Sequence, residues 1–199
     1  AVVLGIALSL FLFIFLPAAI VGLIKPLTAS YFVRNLSEGL VRVIILLAYM
    51  KLCTCVSDVK RLFSYHGAEH KTIFCYEHGK ELTVENVREE SRFHPRCGTS
   101  FLLVVVVVSI LVNSVVRLDN SFARMGCHLL LLPIVVGISY EINRWCGLHD
   151  NWLSAALSAP GKWLQHLTTN EPDDSMIECA IRALELVIPD EKGSDEWGK

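Results

Sequence analysis

Two histidines and a glutamate stand close together in "YHGAEHK", residues 65–71: His66, Glu69 and His70. In a helix, positions i, i+3 and i+4 lie on one face. Both imidazoles can then reach one metal ion, with the carboxylate beside it. This is the inverted form of the H-E-x-x-H zinc motif. Zinc accepts imidazole ligands and lowers the pKa of water to about 7, and an adjacent carboxylate can take the proton. Gly67 works against the helix, costing about 1 kcal/mol relative to alanine. Further on, "RFHPRCGTS" adds His94 and Cys97, with Pro95 and Gly98 marking a tight turn. The expected ligand set is His66, His70 and a third donor from His94 or Cys97, with Glu77 as a spare oxygen ligand. Glu69 is the expected general base, and Arg96 the expected stabiliser of oxyanion charge. Cysteine with imidazole favours zinc or iron over magnesium. Three protein ligands leave a position open for catalysis, whereas four close the site and make it structural.

The elements between the two pairs must bring them together. "TIFCYE" and "ELTV" flank His78-Gly79-Lys80, which predicts a hairpin. Thr83 is placed to cap a short helix running to about Ser91, before Pro95. A helix, a hairpin and a second helix would fold His94 and Cys97 back onto His66 and His70.

Around this segment the chain is apolar: 53% hydrophobic and 19% charged. The apolar residues fall into blocks, the pattern of membrane spans. The block 1–24 is long enough to cross a hydrocarbon core of ~30 Å. Pro17 is expected to kink it, and Lys25 and Pro26 to close it. The block 36–56 carries Arg42 and Lys51, which snorkel to the interfaces or face the bundle interior. The block 100–116 is rich in β-branched residues but is expected to be helical, because a lone strand in lipid leaves its backbone unpaired. The block 126–142 contains Pro133 and Gly137 and is expected to pack as an irregular helix. A chain opening on Ala1 is expected of a processed or truncated product.

Lysine and arginine concentrate in 57–99 and in the C-terminal tail, so both are expected on the positive, cytoplasmic or stromal, side. A net charge of −2 gives no general basic character for nucleic acid. The seven cysteines are odd in number and lack the spacing of a secreted scaffold, so no disulfide framework is expected. Cys53 and Cys55 read as packing residues at a helix end. Asn113, His128, Glu141 and Asn143 are expected to face the bundle. Glu141 either orients a ligand histidine or pairs with Arg144 or Arg42. In the tail, "HDNWLSAALSAPGKWLQHL" predicts short surface helices with Trp152 and Trp163 at an interface. Pro172, Asp173 and Asp174 suit the first turn of a last helix. Its apolar face of Ile177, Ile181, Leu184 and Ile188 needs a partner, either the 57–99 segment or another chain.

The stretches "EGLVRVIILLAYM", "YHGAEHKTIFCYEHGKELTVENVREESRFHPRCGTSFLL", "LLLPIVVGISYEI" and "LTTNEPDDSMIECAI" closely resemble the YqhQ-like family. Its members are multi-pass membrane proteins with a domain of unknown function, widespread in bacteria and with plastid relatives. The resemblance covers the chain from about residue 36 onward. It implies a predicted metal-dependent enzyme with no assigned substrate. The motif positions carried onto this chain are His66, Glu69, His70, Glu77, Glu85, His94, Arg96 and Cys97. Family members usually have a Gly-rich polar segment before the first span, and the sequence departs from them there.

Together these readings predict a mainly α polytopic membrane protein of about four spans. It would carry a small α+β metal-binding insertion and an amphipathic C-terminal tail. The expected divisions are 1–56 and 100–145 as membrane helices, 57–99 as the insertion, 146–190 as the helical tail and 191–199 as disordered. The expected setting is a bacterial plasma membrane or a plastid membrane, with 57–99 and the tail on the cytoplasmic or stromal side. The expected activity is a zinc hydrolase acting on a peptide or lipid-like substrate near the membrane surface. The alternatives are a structural zinc scaffold or assembly factor and, third, a transporter. Expected partners are the lipid bilayer and a second copy or another membrane protein.

Overall fold

The computed structural model describes residues 2–24, 30–118, 120–149 and 151–189. All regular structure among them is helical: α1 (Val2–Leu10), a π-helical turn (Phe11–Phe15), α2 (Leu16–Gly22), α3 (Tyr31–Cys53), α4 (Ser57–Glu77), α5 (Val84–Glu89), α6 (Gly98–Ser114), α7 (Ser121–Leu148), α8 (Trp152–Thr168) and α9 (Asp174–Glu185). They form two compact units. The first comprises Ala1–Tyr49 and Leu102–Ile142, the second Met50–Phe101 and Asn143–Lys199.

In the first unit, backbone irregularities are answered by side chains of neighbouring helices. Pro17 has no N–H, so the carbonyl of Phe13, four residues earlier, lacks its helical donor. The helix widens into the π-helical turn there, and Arg42 of α3 donates its Nε–H to Phe13 O at 2.8 Å. The end of α6 leaves carbonyls without helical partners. Asn35 caps them, donating Nδ2–H to Asn113 O (2.8 Å) and Val116 O (3.0 Å). Glu38 and Arg124, both buried, form an ion pair at 3.0 Å.

Two helical stretches, Val2–Gly22 and Phe122–Leu148, are long and apolar enough to cross a membrane. The expectation of about four spans is corrected accordingly. α6 has only 17 residues. α3 carries Arg34, Glu38, Arg42 and Lys51, and it qualifies only when taken together with α4 as a broken pair. Among the described residues the number of candidate spans is therefore two, or up to three.

The second unit is built on α4. Its buried Ala68 and Cys75 pack with Val87 of α5 and with Ile177 and Ile181 of α9. Ile177 and Ile181 of the face predicted for the last helix thus find their partner in the 57–99 segment, whereas Ile188 lies beyond the end of the helix. Caps set the starts of three helices. Thr83 accepts from Asn86 N–H (3.3 Å), Asn151 from Leu153 and Ser154 N–H, and Asp173 from Met176 N–H (3.0 Å).

The predicted hairpin, and with it the α+β insertion, does not form. "TIFCYE" is the last part of α4, and no strand occurs among the described residues. The β-branched and aromatic residues are overridden because Ala68, Thr72 and Cys75 share one buried face at helical spacing. His78-Gly79-Lys80 is a helix stop. Gly79 takes a φ of 68°, Gly79 N–H bonds Tyr76 O (2.9 Å) and Lys80 N–H bonds Cys75 O (3.0 Å). Those are the two bonds of a Schellman terminus. The predicted short surface helices are also corrected: α8 is one helix of 17 residues that runs through Pro160. The expected closing residues of the first block, Lys25 and Pro26, and the expected disorder of 191–199 fall outside the described residues.

Ile177 is fully buried in this small core. Ile177→Ala should lower stability by about 2–5 kcal/mol, the usual cost of emptying an aliphatic core site. Chemical denaturation of the detergent-purified chain, followed by circular dichroism, measures it.

Candidate metal centre

His66 and His70 project from the same face of α4, and the 94–97 turn brings Cys97 to them. One ligand atom from each of the three lies within 4.8 Å of the other two. His66 Nε2 is 3.2 Å from Cys97 Sγ. Zinc at its usual bond lengths would hold a tetrahedral N and S roughly 3.5 Å apart, so the three donors fit one ion.

The other ring nitrogens decide which atoms are presented. His66 Nδ1–H donates to Thr168 O at 2.8 Å, and His70 Nδ1–H donates to Arg92 O at 2.6 Å. A carbonyl can only accept, so each ring carries a proton on Nδ1; Nε2 bears a second proton while it donates to the Cys97 sulfur, and release of that proton turns Nε2 into a metal donor. Metal-ligating histidines are commonly fixed by such bonds. Cys97 stands immediately before α6, and its Sγ accepts from Thr99 N–H at 3.4 Å and meets Thr99 Oγ1 at 3.1 Å. Sulfur at a helix start lies at the positive end of the helix dipole. Burial works against the Cys97 thiolate, but the bonds to His66, His70 and Thr99 outweigh it and bring the thiol down to about 5. Burial likewise disfavours the charged His66 ring, yet Cys97 and the Thr168 carbonyl hold it above its ordinary value.

The remaining predicted residues divide into two groups. His94, Glu77 and Arg96 form a neighbouring cluster of their own. His94 Nδ1 accepts from Arg96 N–H (3.2 Å), and His94 Nε2 pairs with Glu77 (3.2 Å). The Arg96 guanidinium pairs with the same carboxylate. Both nitrogens of His94 are thus engaged, and of the two candidates for third donor it is Cys97 that joins His66 and His70. Burial raises the Glu77 carboxyl, but His94 and Arg96 outweigh it and hold it below the ordinary carboxylate range. Glu69 is exposed beside this centre, and its charge acts on His66. Glu85 is exposed in the first turn of α5.

Several residues that position the site carry no motif signal. Gln165, fully buried in α8, accepts from His94 N–H (2.8 Å) and donates to His94 O and Ser100 Oγ (both 2.7 Å). It clamps the turn that presents Cys97. Lys71 is buried beside His70 and donates to Arg88 O (3.1 Å), Glu90 O (2.9 Å) and Glu171 (3.0 Å). Glu171 also pairs with Arg92, whose carbonyl orients His70. "TTNE" at 168–171 was thus part of the site, and its only legible trace was its place in the family resemblance. Gly67 is explained by the same segment. Asn170 N–H bonds Phe63 O at 2.9 Å, and a Cβ on residue 67 would run into Asn170 O.

The fold and site therefore define a helical protein with a largely buried His-His-Cys cluster flanked by a carboxylate. The chain belongs to the family described as "Protein of unknown function (DUF1385)", whose model matches residues 1–190. It is 37% identical over 187 residues to "Uncharacterized protein YqhQ" of Bacillus subtilis (strain 168). The match covers 94% of this chain and 59% of that relative, so the chain spans less than two thirds of the relative's length. No solved structure matches the chain.

Gly67→Ala should lower the melting temperature, although alanine is the better helix former, because the clash with Asn170 outweighs a gain of about 1 kcal/mol. Thermal melts of the two proteins compare them directly. A second expectation concerns acid. The Glu77 pairing stabilises fully above the pKa of an unfolded glutamate, about 4.3. It is lost as pH falls through the lower folded value. Glu77→Gln should cost stability at pH 7 and shrink the loss between neutral pH and pH 3, read from denaturation midpoints across that range.

Proposed function

We propose that this chain is a membrane-embedded, zinc-dependent hydrolase acting at the membrane surface. The observation that carries the reading is the pair of Nδ1–H bonds to Thr168 O and Arg92 O, which leaves two Nε2 atoms converging on Cys97 Sγ. Two imidazoles and a thiolate are a soft donor set suited to zinc. Three protein donors match catalytic zinc sites, in which the fourth position takes water or substrate. A zinc ion bound there would supply Lewis acidity and acidify water. The chain's own contributions are then separable. Thr168 and Arg92 orient the rings, Thr99 supports the sulfur, and Glu69 can accept a proton at its carboxylate on the open side. The Glu77–His94–Arg96 cluster positions the turn that carries Cys97.

Membrane embedding is supported by Val2–Gly22 and Phe122–Leu148, whose apolar surfaces are largely exposed. Trp152 and Trp163 on the exposed surface of α8 suit an interfacial helix. The Lys- and Arg-rich second unit then belongs on the cytoplasmic or stromal side by the positive-inside rule. A substrate at that surface is a peptide or a lipid-like ester.

Elemental mass spectrometry of protein purified without chelator tests the metal. The expected result is near-stoichiometric zinc in wild type and in Glu69→Gln, with loss in His70→Ala and Cys97→Ser. Cobalt-substituted protein should show a sulfur-to-metal charge-transfer band that vanishes in Cys97→Ser. Absence of stoichiometric metal from folded wild-type protein would overturn the reading. An activity that survives Glu69→Gln unchanged would instead make the centre structural.

A further inference from the structure

The first unit contains a cavity of about 320 Å³ that the metal-centre reading does not use. Its polar wall holds Glu38 and Arg42 of α3 with Arg124 and His128 of α7. Its apolar wall includes Ile14, Phe15, Phe122 and Met125. Charged groups are rare in apolar helices because desolvation is costly, and where they occur they mark a site or find a partner. Glu38 is taken by Arg124 at 3.0 Å. Arg42 gives its Nε–H to Phe13 O and feels the charge of Glu38, but it makes no ion-pair contact within 4 Å among the described residues. His128 Nε2 is buried and has no hydrogen-bond partner among them. Two guanidinium groups thus face one carboxylate, and a buried ring nitrogen stands idle on the same cavity.

We propose that this cavity binds a phosphate group carried on an apolar body, that is, the headgroup and upper acyl chain of an anionic phospholipid. The net positive charge of the lining selects an anion. The planar guanidinium of Arg42 suits phosphate oxygens, and its spare N–H donors make no direct contact with Glu38, whose carboxylate is in contact with Arg124. His128 Nε2 can bond a phosphate oxygen or hydroxyl when the ring tautomer suits. The aromatic and aliphatic wall gives no advantage to a free ion but covers apolar chain. The inference rests on the membrane reading above and is independent of the metal centre.

The test uses the full chain, purified in detergent and delipidated, and titrated with dioctanoyl phosphatidic acid, dioctanoyl phosphatidylcholine and inorganic phosphate, with binding read by calorimetry. The expected result is phosphatidic acid bound about tenfold or more tightly than the other two, with a similar loss in Arg42→Gln. Glutamine keeps an N–H donor for Phe13 O while removing the charge. Ala18→Trp, which fills the cavity without removing a charged group, should lose binding too. If Arg42→Gln does not fold, Ala18→Trp decides alone. Equal binding of the two lipids, inorganic phosphate binding as tightly as phosphatidic acid, or unchanged affinity in the folded variants would overturn the proposal. Resistance of the chain to extraction from membranes by alkaline carbonate tests the membrane reading separately. A chain that resists extraction but shows no lipid selectivity defeats only the cavity inference.

Discussion

Two hydrogen bonds hold the second unit's chemistry in place: His66 Nδ1–H to Thr168 O and His70 Nδ1–H to Arg92 O. Each ties a side chain of α4 to a backbone carbonyl far along the chain. The carbonyls are where they are because α8 ends at Thr168 and because Gln165 and Lys71 anchor the residues near 90–94. Gly67 lets the chain after α8 run close enough to α4 for the first of these contacts. The tautomer of both rings, and so the donor set offered to a metal, follows from the path of the backbone. A side chain can rotate, but a buried carbonyl without a donor is costly, so the arrangement resists rearrangement from both sides.

The first unit obeys the same rule with different parts. Its helices are interrupted at Pro17 and end at the α6 terminus, and each break leaves a carbonyl without its i+4 donor. Arg42 and Asn35 answer them from α3. In an apolar surrounding these bonds are worth more than in water, since nothing else is available to replace them. The polar residues of α3 that weaken it as a membrane span are thus the ones that organise its neighbours.

The tail and the 57–99 segment are one structural unit, although the chain separates them by the α6 and α7 helices. The core of Ala68, Cys75, Val87, Ile177 and Ile181 draws on α4, α5 and α9. The predicted hairpin was lost for the same reason. Thr72, Ile73, Phe74 and Tyr76 favour a strand locally, but the stripe of small buried residues opposite α9 makes the helix the better solution. Local propensity is a small term, and burial of a whole face outweighs it. The turn residues His78-Gly79-Lys80 were legible as a break, yet a Gly at positive φ serves a hairpin and a helix stop equally well.

From sequence alone came the two long apolar stretches, the helical fold class, the cap at Thr83, a helix start near Asp173 and the closeness of His66 to His70. All of these depend on neighbours within a turn or two of helix, or on a run of apolar residues. The choice of Cys97 over His94, the pairing of Glu77 with His94 and Arg96, and the roles of Thr168, Gln165 and Gly67 depended on the tertiary structure. His94 and Cys97 are three residues apart, and spacing gives no reason to prefer one. What separates them is that His94 finds both its hydrogen-bond partners nearby, while Cys97 stands at the start of α6 with its sulfur turned to two ring nitrogens. That difference is one of long-range placement, to which residue type and local spacing are blind.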